Sequence, residues 1–254
     1  MLTNALIYIA TTITYSLTLE QVNTVRPFII HLEALAEDLS LNLPAYQEVN
    51  EGRSHIQNYQ QQRQLSVKDE DLFWAYTSLG RFYEAQGNYS AALPWYEQGV
   101  IVVKTRLGDR HPDVATSLQN LAYLYVNQGR YEAAEPLYIE ALALYKDLLG
   151  DRHPDVANSL NNLAYLYNNQ GRYEAAEPLY IEALALYKDL LGDRHPHVAT
   201  SLNNLALLYN NQGRYEAVEP LYKEALNIAE ETLGADHPNT VTIRNNLASL
   251  KNNS

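Results

Sequence analysis

Residues 111–152 read HPDVATSLQNLAYLYVNQGRYEAAEPLYIEALALYKDLLGDR. The same 42 residues return at 153–194 with three changes: Thr116 becomes Asn158, Gln119 becomes Asn161 and Val126 becomes Asn168. A more diverged copy spans 195–236, a degenerate one covers about 69–110, and a partial one occupies 237–254. Self-similarity at a fixed period of this length is the mark of stacked supersecondary units.

Each copy contains two apolar stripes at helical spacing. Val114, Leu118, Leu121, Ala122 and Tyr125 form the first, which ends at Gly129, a residue suited to the left-handed cap that follows a helix. Ala134, Leu137, Tyr138, Ala141, Leu142, Tyr145 and Leu148 form the second, which runs to Gly150. The next copy opens with His153-Pro154-Asp155. Proline suits a first helical position because its missing N–H has no intrahelical partner there, and Asp155 favours the positive end of the helix dipole. Pro136 falls near the start of the second helix, where it either costs little or bends the first turn. One helix pair cannot bury both of its faces alone. The repeat therefore predicts an all-α solenoid with a continuous core and no large internal cavity.

The spacing Leu118-x2-Leu121-Ala122-x2-Tyr125, followed by Ala134-x3-Tyr138-x2-Ala141, resembles the tetratricopeptide repeat, with Leu for the usual first Trp and Tyr for Phe. The same places hold Leu160, Leu163, Ala164, Tyr167, Ala176, Tyr180 and Ala183, then Leu202, Leu205, Ala206, Tyr209, Val218, Tyr222 and Ala225. In the first copy they hold Tyr76, Leu79, Gly80, Tyr83, Ala92, Tyr96 and Gly99. The 42-residue unit, the Gly-Asp-Arg-His-Pro connector and the Asn-Asn-Leu-Ala run resemble the kinesin-light-chain type of repeat, which is also abundant in bacteria. Over 69–254 the resemblance implies a right-handed superhelical solenoid of antiparallel helix pairs. The partial copy departs from it, with Arg244 and Lys251 where Leu and Tyr would pack, as suits a solvent-facing cap or a surface for self-association.

Residues 1–68 lie outside the repeat and read as a helical leader and polar linker. Leu2, Leu6, Ile9, Ile13 and Leu17 recur at helical spacing; the uncharged run Met1 to Leu19 lacks a cationic start and is interrupted by Thr, Ser and Asn, so it reads as a packing helix rather than an export or anchoring segment. A second amphipathic stretch covers about Leu19–Leu41, and a glutamine-rich segment, Gln57 to Gln64, precedes the array. Leu19-Glu20-Gln21-Val22 and Asp69-Glu70-Asp71-Leu72-Phe73-Trp74 resemble the region joining an NB-ARC-type signalling ATPase core to its repeat sensor in some cyanobacterial proteins. No Gly-x4-Gly-Lys-Ser/Thr loop occurs in the chain.

Composition narrows the chemistry. The 254 residues contain no cysteine, which removes disulfides and thiolate chemistry and fits a reducing compartment; the cytoplasm is the expectation. A formal charge of -12 opposes binding to nucleic acid or an anionic membrane. His111, His153, His195 and His237 fall once per copy before a helix-starting proline and read as helix entry rather than metal ligands. Tyr125 and Tyr138 hold core spacing, and Glu132, Glu135 and Glu140 read as solvated. No catalytic constellation, cofactor site or metal site is expected.

The opposite face of each first helix is polar. Gln119, Asn120, Tyr123 and Asn127 share it, with Asn161, Asn162, Tyr165 and Asn169 in the next copy and Asn203, Asn204 and Asn211 in the third. Asparagine is a mediocre helix former, so an exposed run of it needs a reason: interhelix hydrogen bonding, copying of a duplicated unit, or a ligand. In tetratricopeptide domains this face lines the concave groove, where asparagines can bind an extended peptide backbone. Arg81 and Arg244 are its only cationic candidates, unlike the Lys- and Arg-lined grooves that clamp a terminal carboxylate. The expected function is therefore a non-catalytic protein-interaction scaffold for an extended segment of a neutral or basic protein. The alternative is a sensor or regulatory fragment of an NB-ARC-type signalling ATPase whose nucleotide-binding core is absent from this chain.

Overall fold

The computed structural model describes residues 69–252, with side chains over 76–250. The leader 1–68, its helical stripes and its ATPase-linker resemblance lie outside the described residues. Those that are described form helices joined by short turns: α1 (Asp69–Glu84), α2 (Tyr89–Leu107), α3 (Pro112–Asn127), α4 (Tyr131–Leu149), α5 (Pro154–Asn169), α6 (Tyr173–Leu191), α7 (Pro196–Asn211), α8 (Tyr215–Leu233) and α9 (Pro238–Asn252). Shorter helices of the first stripe alternate with 19-residue helices of the second.

Punctuation follows the chemistry of helix ends. Pro112, Pro154 and Pro196 occupy first helical positions. At the end of α5, Gly171 N–H donates to Asn168 O at 3.0 Å and Arg172 N–H to Tyr167 O at 2.8 Å, the pair of bonds that closes a Schellman turn. Gly171 has φ +71°, a conformation that costs other residues about 1 kcal/mol or more. Pro136 sits one turn inside α4, exposed, and the helix runs through it to Leu149.

Two compact units divide the chain, one ending at Gln128 and one beginning at Gly129. In the second, each helix packs on the next, and α5 also meets α7. Ala164, Ala176, Tyr180, Leu205 and Leu208 make one buried cluster, flanked by Tyr167, Tyr209 and Leu184; Ala206, Val218 and Tyr222 make another, against which Leu247 and Leu250 of α9 pack. Small alanines let helices approach the wide tyrosine rings. Ion pairs tie successive second-stripe helices together, Lys146 to Glu182 at 3.9 Å and Lys188 to Glu224 at 3.4 Å, and Arg152 of the connector after α4 pairs with Asp189 of α6.

The first unit solves the same crossing differently. Tyr76 stands where later copies have Leu, and Gly80 and Gly99 stand where they have Ala. A Cβ on Gly80 would come within 2.5 Å of the Tyr96 ring, and one on Gly99 within 3.3 Å of Tyr76 Cβ.

Candidate interaction face

Consecutive helical residues are turned by about 100°, so neighbouring asparagines serve different surfaces. In the unit beginning at Gly129, Asn161 is only 8% exposed; its Nδ2 donates to Ser201 Oγ on α7 at 2.8 Å, while its buried Oδ1 has no hydrogen-bond partner among the described residues. Asn203, also 8% exposed, accepts at Oδ1 from Asn246 Nδ2 on α9 at 2.9 Å. Asn211 donates to Asn168 Oδ1 at 3.1 Å. These amides stitch each first-stripe helix to the next.

The amide row expected to be open to solvent is thus divided. Asn161 and Asn203 are turned into helix–helix seams because Ser201 and Asn246 offer partners there. Asn162, Tyr165, Asn204 and Leu207 are half-buried, and Asn169 is exposed, donating to Tyr165 O of its own helix at 2.9 Å. Along α5 and α7 the row reads Asn158, Asn162, Tyr165, Asn169 and Thr200, Asn204, Leu207, Asn211, without a charged side chain. Arg244 donates to Glu230 Oε1 at 2.7 Å and to Ala235 O at 3.2 Å, engaging the end of α8 instead of standing free as a clamp.

In the unit ending at Gln128, Gln119 and Asn120 are buried, whereas Tyr123 is 42% exposed. Asn127 donates to Glu84 Oε1 at 3.1 Å, and the Tyr96 hydroxyl donates to Glu84 Oε2 at 2.8 Å. Burial pushes the Glu84 carboxyl above its usual range, against the opposing pull of those two bonds and of Arg81, which is itself buried.

The other repeated polar residues have structural partners. His111, His153, His195 and His237 each accept at Nδ1 from the backbone N–H two residues on, at 3.2 Å. They are N-caps, a role that Ser, Thr, Asp and Asn usually fill. Tyr138, Tyr180 and Tyr222 are buried. The Tyr125 series is only half-buried: Tyr167 and Tyr209 lie under the guanidinium groups of Arg172 and Arg214, at 4.0 and 3.7 Å from the ring centres. Arg172 and Arg214 in turn bind Glu135 and Glu177, partners that sequence spacing did not reveal. Among the described residues, no helix is long and apolar enough to cross a membrane.

Comparison with known proteins agrees with this geometry. The model of the tetratricopeptide repeat family matches residues 71–147, 113–189, 155–231 and 198–252. Among solved structures, a kinesin-light-chain candidate from Podosopora anserina with nearly identical TPR-like repeats is 26% identical, with a TM-score of 0.57, over 69% of this chain and 83% of that one. A single-substitution variant of that protein matches at the same identity and coverage, with a TM-score of 0.58. BtubC (BKLC) from P. vanneervenii shares the fold, at 24% identity and a TM-score of 0.58 over 94% of both chains. No curated protein matches significantly. The chain belongs to the tetratricopeptide repeat family, whose all-α arrays are typically non-catalytic scaffolds for protein interaction.

Proposed function

We propose that this protein holds an extended segment of another protein along the first-stripe face of α5 and α7, as a scaffold without catalytic chemistry of its own. The observation that carries this reading is the half-buried, uncharged row in which Asn162 and Asn204 keep one register 42 residues apart, with Tyr165 and Leu207 one turn on. An asparagine offers both donor and acceptor, the two functions a peptide backbone presents. Tyr165 and Leu207 supply apolar surface for alternate side chains of the same segment. Asn161 and Asn203, locked into the seams, hold the helices that present the row. Gln119, Asn120, Tyr123 and Asn127 are the corresponding residues of the other unit, where Tyr123 is the exposed contact surface.

A face without charge selects against the carboxylate-clamping mode, and the acidic chain favours neutral or basic segments. Affinity capture from the source cell, with the native chain and an Asn162→Ala, Asn204→Ala variant in parallel, tests the proposal. Proteins retained by the first and lost by the second are the expected partners. Identical capture by both chains would contradict the assignment.

A further inference from the structure

The entry to α7 differs from those of α3 and α5 in one respect. At the second helical position α3 and α5 carry Asp113 and Asp155, whose Oδ2 atoms lie 3.6 and 3.5 Å from the Nδ1 of the capping His111 and His153. In α7 that position is His197. Its ring stacks on Tyr187 of α6 at 5.0 Å between centres, 18° from parallel, and lies 5.0 Å from the ring of the capping His195.

This exchange changes what acid does to the helix end. An imidazole can cap through Nδ1 only while that nitrogen is unprotonated. When the caps of α3 and α5 take up a proton, the lost bond is replaced by an ion pair with the adjacent aspartate. At α7 the same event places cationic imidazoles side by side at the positive end of a helix dipole, with no carboxylate in the second position. The groups facing His197 are His195 of its own helix entry, Tyr187 of α6 and Asp155 of α5. Burial, then the neighbouring His195, hold the His197 imidazole below its ordinary range, and Asp155 opposes them. Tyr187 supplies no charge: burial holds its phenol well above the usual range.

We propose that the His195–His197 pair makes the start of α7 an acid-sensitive joint, which frays in mildly acidic conditions while the corresponding turns of α3 and α5 stay closed. The joint lies about two turns before Asn203 and Asn204, so its opening loosens the helix that carries them. The inference is independent of what the array binds.

Hydrogen–deuterium exchange on the full chain tests it. The readout is the protection of the Val198 and Ala199 amides, which bond to His195 O at 2.9 and 3.4 Å, beside that of Val156 and Ala157, which bond to His153 O at 3.0 and 3.2 Å. Between about pH 7.5 and about pH 5.5, the α7 amides should lose about tenfold more protection than the α5 amides. His197→Asp, which restores the arrangement of α5, and His195→Asn, which installs a cap that does not titrate, should each remove the excess. Parallel loss at the two helices, or an excess that survives both substitutions, would overturn the proposal.

Discussion

The guanidinium carbon of Arg172 lies 4.0 Å from the centre of the Tyr167 ring. The two residues are the sixth and first members of the Schellman turn that ends α5, and one guanidinium nitrogen also reaches both carboxylate oxygens of Glu135 on α4 at 2.9 Å. Helix termination, ring packing and the bond to the preceding helix therefore meet in one side chain. Arg214, Tyr209 and Glu177 repeat the arrangement at α7.

A compact ammonium cannot both cover a ring and reach both carboxylate oxygens from one planar group, so Arg172→Lys should lower the thermal midpoint although charge is kept. Glu135→Ala and Arg172→Ala should be non-additive in a double-mutant cycle followed by circular dichroism. Strict additivity would show that the contact contributes nothing at this exposed site.

Acid should act on these carboxylates with a definite sign. The Arg214 bond, outweighing burial, holds the Glu177 carboxyl below its ordinary 4.5; at Glu135 burial works upward, and the Arg172 bond prevails. A carboxyl depressed in the folded state contributes stability above the unfolded value and loses it as pH falls through the folded one. The thermal midpoint should therefore drop below about pH 4.5, and Glu177→Gln should flatten that drop. Glu84, raised by burial, behaves oppositely: its ionisation costs stability at neutral pH, and Glu84→Gln should raise the midpoint there. An unchanged acid limb in Glu177→Gln would contradict the assignment.

Gly80 is the point where the first copy cannot accept the residue of the later ones. A Cβ there would lie 2.5–2.7 Å from three atoms of the Tyr96 ring, and the ring is tethered through its hydroxyl to Glu84 at 2.8 Å. Gly80→Ala should gain about 1 kcal/mol of helix propensity and lose about 1–3 kcal/mol to overpacking, a net loss measurable by chemical denaturation. A higher denaturation midpoint would show that the ring swings aside freely.

The architecture was legible because its punctuation is periodic: Pro154 and Gly171 bracket α5 where the spacing put a helix, and the stripe containing Leu160, Leu163 and Ala164 is the buried one. The His153 cap was not legible as such, since its position marks a helix entry but its Nδ1 bond depends on the ring's orientation. The Arg172–Glu135 contact spans 37 residues and depends on how adjacent copies are stacked. The division between Asn161 and Asn162 has the same origin. Both are asparagines in one helix turn, and the position of Ser201 on the neighbouring helix decides which of them enters that seam.

That division provides the sharpest test of the account. Asn161→Ala should cost about 1 kcal/mol of stability, because it leaves the buried Ser201 hydroxyl without the amide that donates to it. Asn162→Ala with Asn204→Ala, at half-buried positions, should cost less per site. The decisive measurement is calorimetric titration of the native and doubly substituted chains with synthetic peptides covering a captured partner. The account predicts binding by the native chain that weakens at least about tenfold in the double variant at equal stability, the loss of one to two backbone hydrogen bonds. Equal affinities for both chains, or affinity lost only in proportion to stability, would contradict it.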